Sequence, residues 1–114
     1  MTHYMNLASE PFGQISSGAK TIELRLYDEK RQAVSAGDTI VFTNLADNHQ
    51  VSAKVLKLHI FDSFAELYNN LPLSKCGYSM QELDNASPDD MFAYYSKEKQ
   101  EKYKAVGIEI KLIR

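Results

Sequence analysis

Three charged side chains stand close together in the stretch "GAKTIELRL", residues 18–26: Lys20, Glu23 and Arg25. Around them Ile22, Leu24 and Leu26 alternate with Thr21, Glu23 and Arg25, the period-two pattern of a strand with one apolar face. Glu23 and Arg25 therefore share a face. Lys20 has the opposite parity, but it sits at the strand entrance, where its flexible stem reaches either side. A lysine and an arginine beside a helix end attract a phosphate or a polarised carbonyl, and a carboxylate between them accepts from an amine or holds the arginine fork. Such a set recognises a polar planar ligand, for instance a nucleobase with its phosphate. A Lys20–Glu23 pair could also do general acid–base work if burial lowered the lysine pKa. The competing reading is the wet face of an amphipathic strand, with a surface pair worth ~0–1 kcal/mol.

A second polar set lies in "FAYYSKEK", where Tyr95 and Ser96 follow Tyr94. One tyrosine could stack on a base while the neighbouring hydroxyl binds phosphate. Against this, Phe92 and Tyr94 read as residues that pack a helix on the sheet, and Ser96 as the cap of the segment that follows. His59 has two readings, a side chain turned into the cleft or a satisfied structural histidine. His3, His49 and His59 lack metal-ligand spacing and Cys76 has no partner cysteine, so neither a metal nor a cofactor is expected. No P-loop, dinucleotide fingerprint or nucleophile elbow is present.

The elements that position these residues follow from pattern. "ASEPFGQISSG" reads as a short helix with Ser9 as N-cap and Gly18 as its stop. Strands are expected at "KTIELRL", "TIVFTNL", "QVSAKVLKLHIF" and "AVGIEIKLI", with a charged loop "YDEKRQAVSAGD" between the first two. The third strand switches its apolar face: Val51, Ala53 and Val55 share one parity, Leu56, Leu58 and Ile60 the other, which implies a bulge or a bend. Helices are expected at "DSFAELYNNL", capped by Asp62 or Ser63, at "SMQELDNA", with Ser79 and Glu82 spaced as a capping box, and along "SPDDMFAYYSKEKQEKY". Strands from both ends of the chain with helices inserted between them predict an α+β fold, a mixed and partly closed sheet with flanking helices.

Composition bounds the function. A chain of 114 residues makes one domain, residues 1–114, able to bury a core without metal or disulfide. The single cysteine and the lack of an apolar leader or span point to a cytoplasmic protein with no membrane partner. A net charge of −2, with Lys and Arg spread along the chain, argues against extended binding of duplex DNA.

"GAKTIELRL" resembles the G-x-K-x-x-E-x-R signature of the ASCH family, a branch of the PUA-like superfamily. "EPFGQISSG", "AGDTIVF", "FDSFAELY" and "VGIEI" extend the resemblance over nearly the whole chain. It implies a small mixed β-barrel flanked by helices, a cleft floored by Lys20, Glu23 and Arg25, and a role in binding RNA, a nucleotide or a modified nucleoside. Some small proteins resembling this domain are amidohydrolases of N4-acetylcytidine, in which the motif lysine works with a threonine three residues on and a distant glutamate. Here Glu23 occupies the threonine's place, which weakens that reading, although a hydrolase using Lys20 and Glu23 stays open. So does an adaptor whose cleft takes a protein or a small metabolite. If the three motif residues face a ligand and not the core, replacing them should move stability by only about ±0.5 kcal/mol.

Overall fold

The computed structural model describes residues 1–113. Five strands form one sheet: β1 (Thr2–Leu7), β2 (Ile22–Tyr27), β3 (Thr39–Asn44), β4 (Gln50–Phe61) and β5 (Lys104–Leu112), in the spatial order β1-β3-β4-β5-β2. β1 runs parallel to β3 and every other pairing is antiparallel. The first and last strands of that order are the free edges of a curled half-barrel, an α+β architecture as the element order predicts.

β1 is the strand that the sequence reading lacks. Its signal is nonetheless a plain alternation, for His3, Met5 and Leu7 are buried while Thr2, Tyr4 and Asn6 are exposed. In β4 the register shifts between Val55 and Lys57, which makes Leu56 the extra residue of a bulge. The parity switch has this cause. The new face is less apolar than its residues suggest, because Leu58 packs against the core while Leu56 and Ile60 stay 44% exposed.

Helix α1 (Ser9–Ser16) begins one residue earlier than its serine suggests. Ala8 holds the cap position through its backbone, its carbonyl accepting from Phe12 N–H at 3.1 Å. Gly18 ends the run at φ +85°, as its position predicts. The charged loop contains a short helix, α2 (Glu29–Gln32), capped by the Asp28 carboxylate. Between β4 and β5 lie α3 (Phe64–Asn70), a 3-10 turn (Leu73–Cys76), α4 (Met80–Leu83), a second 3-10 turn (Pro88–Ala93) and α5 (Lys97–Lys102). Ser63 caps α3, and Ser79 and Glu82 form the expected capping box. The long helix expected across residues 87–103 is instead broken in two, and Ser96 caps the second piece.

Two apolar clusters hold these layers together. Met5, Ile15, Ile40, Phe42, Val55 and Ile108 lie in the first, between the sheet and α1. Ile22, Leu24, Leu26, Phe64, Leu67 and Met91 form the second, between β2 and the segment that links β4 to β5. Each large side chain fully buried there stabilises the fold by about 1.5–3 kcal/mol. α3 approaches β5 closely because Gly107 has no side chain: a Cβ there would stand 2.6 Å from Leu71 Cδ1. β2 is thus covered on both faces, a condition with consequences for Glu23.

Candidate functional site

Lys20, Glu23 and Arg25 converge. Lys20 Nζ lies 2.8 Å from Glu23 Oε1, and Arg25 Nη2 lies 3.0 Å from Glu23 Oε2. Arg25 Nε donates to the same Oε2 at 3.2 Å. Lys20 precedes β2, so its stem turns back over the strand to the face that Glu23 and Arg25 share. Gly77 sits against that stem in a left-handed conformation, φ +104°, and a Cβ there would meet Lys20 Cδ at 3.3 Å and Gln14 Oε1 at 2.9 Å. Gln14 Nε2 donates to the Gly77 carbonyl at 3.1 Å and fixes this wall.

The cluster is not a wet strand face. Glu23 is 3% exposed, and the Lys20 and Arg25 side chains retain 10% and 14% exposure. Burial alone would raise the Glu23 pKa, but the charges and hydrogen bonds of Lys20 and Arg25 outweigh it and hold the carboxylate below its ordinary range. Both glutamate oxygens are occupied by cations. The expectation of near-neutral substitutions at these positions is therefore corrected: removing one partner from a buried cluster costs several kcal/mol, about 3–5 in the usual case.

Arg25 also donates from Nη2 to the Asn6 carbonyl at 3.0 Å. Asn6 belongs to β1 and Arg25 to β2, so this bond links the two edges of the half-barrel where no ladder does. Arg25 Nη1 makes no hydrogen bond among the described residues and remains available, as do the Lys20 protons that Glu23 does not take.

These groups floor a cleft of about 570 Å³ between α1 and the segment from α3 to α5. Its walls include Asn6, Glu10, Gln14, Tyr68, Cys76, Tyr78, Glu82, Asp90, Tyr94 and Tyr95. Tyr68 and Tyr78 meet edge to face, their ring centroids 5.9 Å apart. The hydroxyls of this pair lie 2.7 Å apart, and Tyr78 Oη donates to Asp90 Oδ2, also at 2.7 Å. Burial, then the bonds to Tyr68 and Asp90, push the Tyr78 phenol far above its ordinary pKa. Cys76 is buried beside Lys20 and Glu23, and burial pushes its thiol up to about 11.

The remaining candidates divide. Tyr95 lines the cleft, but its ring also stacks on Phe64 at 6.1 Å, so it packs as much as it faces the cavity. The packing role expected of Phe92 and Tyr94 falls to Met91 and Tyr95, four residues apart and joined by a Tyr95 N–H to Met91 carbonyl bond of 3.0 Å. Tyr94, 72% exposed, is turned to the cleft instead. Ser96 accepts from Lys99 N–H as the cap of α5 and does not line the cleft. His59 is likewise outside it, on the β4–β5 ladder, with Nε2 2.9 Å from Glu109 Oε1. The network of Tyr68, Tyr78 and Asp90 is absent from the sequence reading, since nothing in its spacing marks three residues on separate short elements.

Among the described residues no group of three or more His, Cys, Asp or Glu side chains is placed to hold a metal ion. No helix is long and apolar enough to cross a membrane.

A curled five-stranded half-barrel with helices on its flanks is the architecture of ASCH structures. The model of the ASCH domain matches residues 5–114, and the chain belongs to the ASCH domain family. It is similar to the hypothetical protein PH0355, 31% identical over 99% of this chain and 100% of that one, with a TM-score of 0.82. The protein PF0455 from Pyrococcus furiosus is 30% identical over 100% of this chain and 99% of its own, with a TM-score of 0.72. ASCH from Zymomonas mobilis matches 99% of this chain and 71% of its own at 17% identity and a TM-score of 0.66, a likeness of fold alone. No curated protein matches the chain.

Proposed function

We propose that the cleft holds a single nucleobase, presented as a nucleoside, a nucleotide, a modified base or one residue of single-stranded RNA. The observation that supports this reading is the pairing, in one cavity, of spare donors on Lys20 and Arg25 Nη1 with the aromatic side chains of Tyr78 and Tyr94. Donors of this kind bind carbonyl or phosphate oxygen, and an aromatic face stacks on any base. The volume suits one small planar ligand with its sugar.

Charge narrows the ligand further. Glu10, Glu23, Glu82 and Asp90 line the cleft against only Lys20 and Arg25. Four carboxylates to two cations is a poor match for a run of phosphates, so this reading takes one base unit and no long polyanion. The saturation of Glu23 by two cations leaves it a weak base, which disfavours a hydrolase built on Lys20 and Glu23. A cytoplasmic setting, where nucleosides and RNA are at hand, belongs to the same proposal.

Calorimetric titration of a short single-stranded RNA across salt tests it. Two cations alone would neutralise about one to three phosphates. With Glu23 cancelling one of them, the log–log slope should be near −0.7, about one phosphate. Lys20→Ala and Arg25→Ala should weaken binding while Lys99→Ala on α5 leaves it unchanged, with urea melts confirming that each variant is folded. A steep slope shared by all three variants would mean diffuse electrostatics and would overturn the proposal.

A further inference from the structure

Two walls of the cleft differ in hydrogen-bonding sense. On one, Lys20 and Arg25 offer donors only, and each Glu23 oxygen is held by one of the two cations. The other wall is built by Tyr68, Tyr78 and Asp90, and its proton order can be worked out. A phenol has one hydrogen. Tyr78 spends its own on Asp90 Oδ2, so the hydrogen in the 2.7 Å Tyr68–Tyr78 bond must come from Tyr68. Asp90 Oδ2 also accepts from Ser87 N–H at 3.3 Å, which ties the carboxylate to its own turn. Both phenolic hydrogens are then committed, and what this wall has left are acceptors. Asp90 Oδ1, which takes no hydrogen bond among the described residues, is the foremost of them.

Resting on the reading of the cleft as a nucleobase site, we infer that Asp90, oriented by Tyr78 and Tyr68, selects bases that carry an exocyclic amino group together with a ring carbonyl. The carbonyl meets Lys20 or Arg25 and the amino group donates to Asp90 Oδ1. Cytosine and guanine have both groups. Uracil puts a carbonyl oxygen where the amino group would be, and two acceptors then face each other with no proton between them. An unmatched acceptor against a carboxylate forfeits a charge-assisted bond, which corresponds to roughly 10- to 100-fold in affinity.

Titrating cytidine, uridine and N4,N4-dimethylcytidine into the protein tests the inference. The last compound keeps the cytosine ring but has no N–H to donate. Cytidine should bind at least roughly 10-fold more tightly than either of the others. In Asp90→Asn, the amide nitrogen replaces the free oxygen, so the preference for cytidine over uridine should vanish or reverse. Equal binding of the three nucleosides by the wild-type protein would overturn the inference while leaving a nucleobase site in place, and this arm does not depend on the variant folding. An unchanged cytidine preference in a folded Asp90→Asn would overturn the role of Asp90. Failure of all three nucleosides and of short single-stranded RNA to bind would remove the nucleobase reading and the inference with it.

Discussion

Replacing Glu23 by alanine should unfold the protein far more easily than the removal of a surface charge would. The carboxylate is buried between Lys20 at 2.8 Å and Arg25 at 3.0 Å. Without it, two cations of like sign remain close together in a place with little water. Breaking a buried pair in this way costs about 3–5 kcal/mol. The residual exposure of the two cations allows some rehydration, so the lower end, about 3 kcal/mol, is the expected loss. That is a large share of the roughly 5–15 kcal/mol that keeps a domain folded. Urea melts followed by circular dichroism at neutral pH would read it directly, and Glu23→Gln, which keeps the shape and one acceptor, should fall between the two. The loss must also depend on pH. Since the Glu23 pKa is depressed in the folded state, its contribution is fully present above the ordinary glutamate value of about 4.3 and is lost as pH falls through the folded value below it. The stability gap between wild type and Glu23→Gln should therefore be constant from pH 7 to about 5 and narrow in stronger acid. A gap below about 1 kcal/mol, as for an exposed pair, or one that does not narrow in acid, would refute the reasoning.

Gly77→Ala should destabilise the fold by about 1–2 kcal/mol, the cost of a side chain at positive φ, and should also weaken ligand binding by displacing Lys20 and Gln14; unchanged melts would show that the turn adapts. Cys76, its thiol raised to about 11 by burial, should react with iodoacetamide at pH 8 much more slowly than a free thiol, and urea should abolish the protection; fast modification of the folded protein would contradict the burial. In a chromatographic assay N4-acetylcytidine should show little or no turnover, because Glu23 occupies the place of the threonine and is itself held by two cations. Robust turnover that Lys20→Ala abolishes would put the hydrolase reading first.

Much of this was legible in the sequence, for reasons that differ from residue to residue. Alternation places Ile22, Leu24 and Leu26 in the core, and the parity switch in β4 implies a bulge or a bend, which the strand register resolves as a bulge at Leu56. Capping chemistry is local, so Ser63, Ser79 and Ser96 were readable as caps. The burial of Glu23 was not readable. Alternation describes a strand with one covered face, and β2 has two: α3 and its neighbours cover the side of Ile22, Leu24 and Leu26, while Glu23 shares its side with Val106 and Ile108, inside the curl of the sheet. Phe92 and Tyr94 were misassigned because the expected helix is a 3-10 turn that stops at Ala93, and its geometry turns Met91 and Tyr95 inward instead. The bond of Arg25 to Asn6 depends on the sheet curling until its edges meet, a property of the whole fold and not of either segment.

A scaffold role alone explains the charged cluster poorly. Three well-packed apolar residues of similar size would hold β2 as firmly as a lysine, a glutamate and an arginine, and often more firmly, because no charge would have to leave water. Yet the cluster is arranged so that its one carboxylate is used up internally while donors on both cations are left over and face a cavity. Glu23 fixes where those donors stand, and the Arg25 bond to Asn6 fixes the strand edges around them. A ligand meeting donors already held in place loses less to ordering them than one meeting free lysine and arginine side chains. On the proposed reading, that saving offsets part of the desolvation spent on burying Glu23 when a carbonyl or phosphate oxygen binds those donors. That accounts for opposite charges on one face of a buried strand: the negative one positions the positive ones.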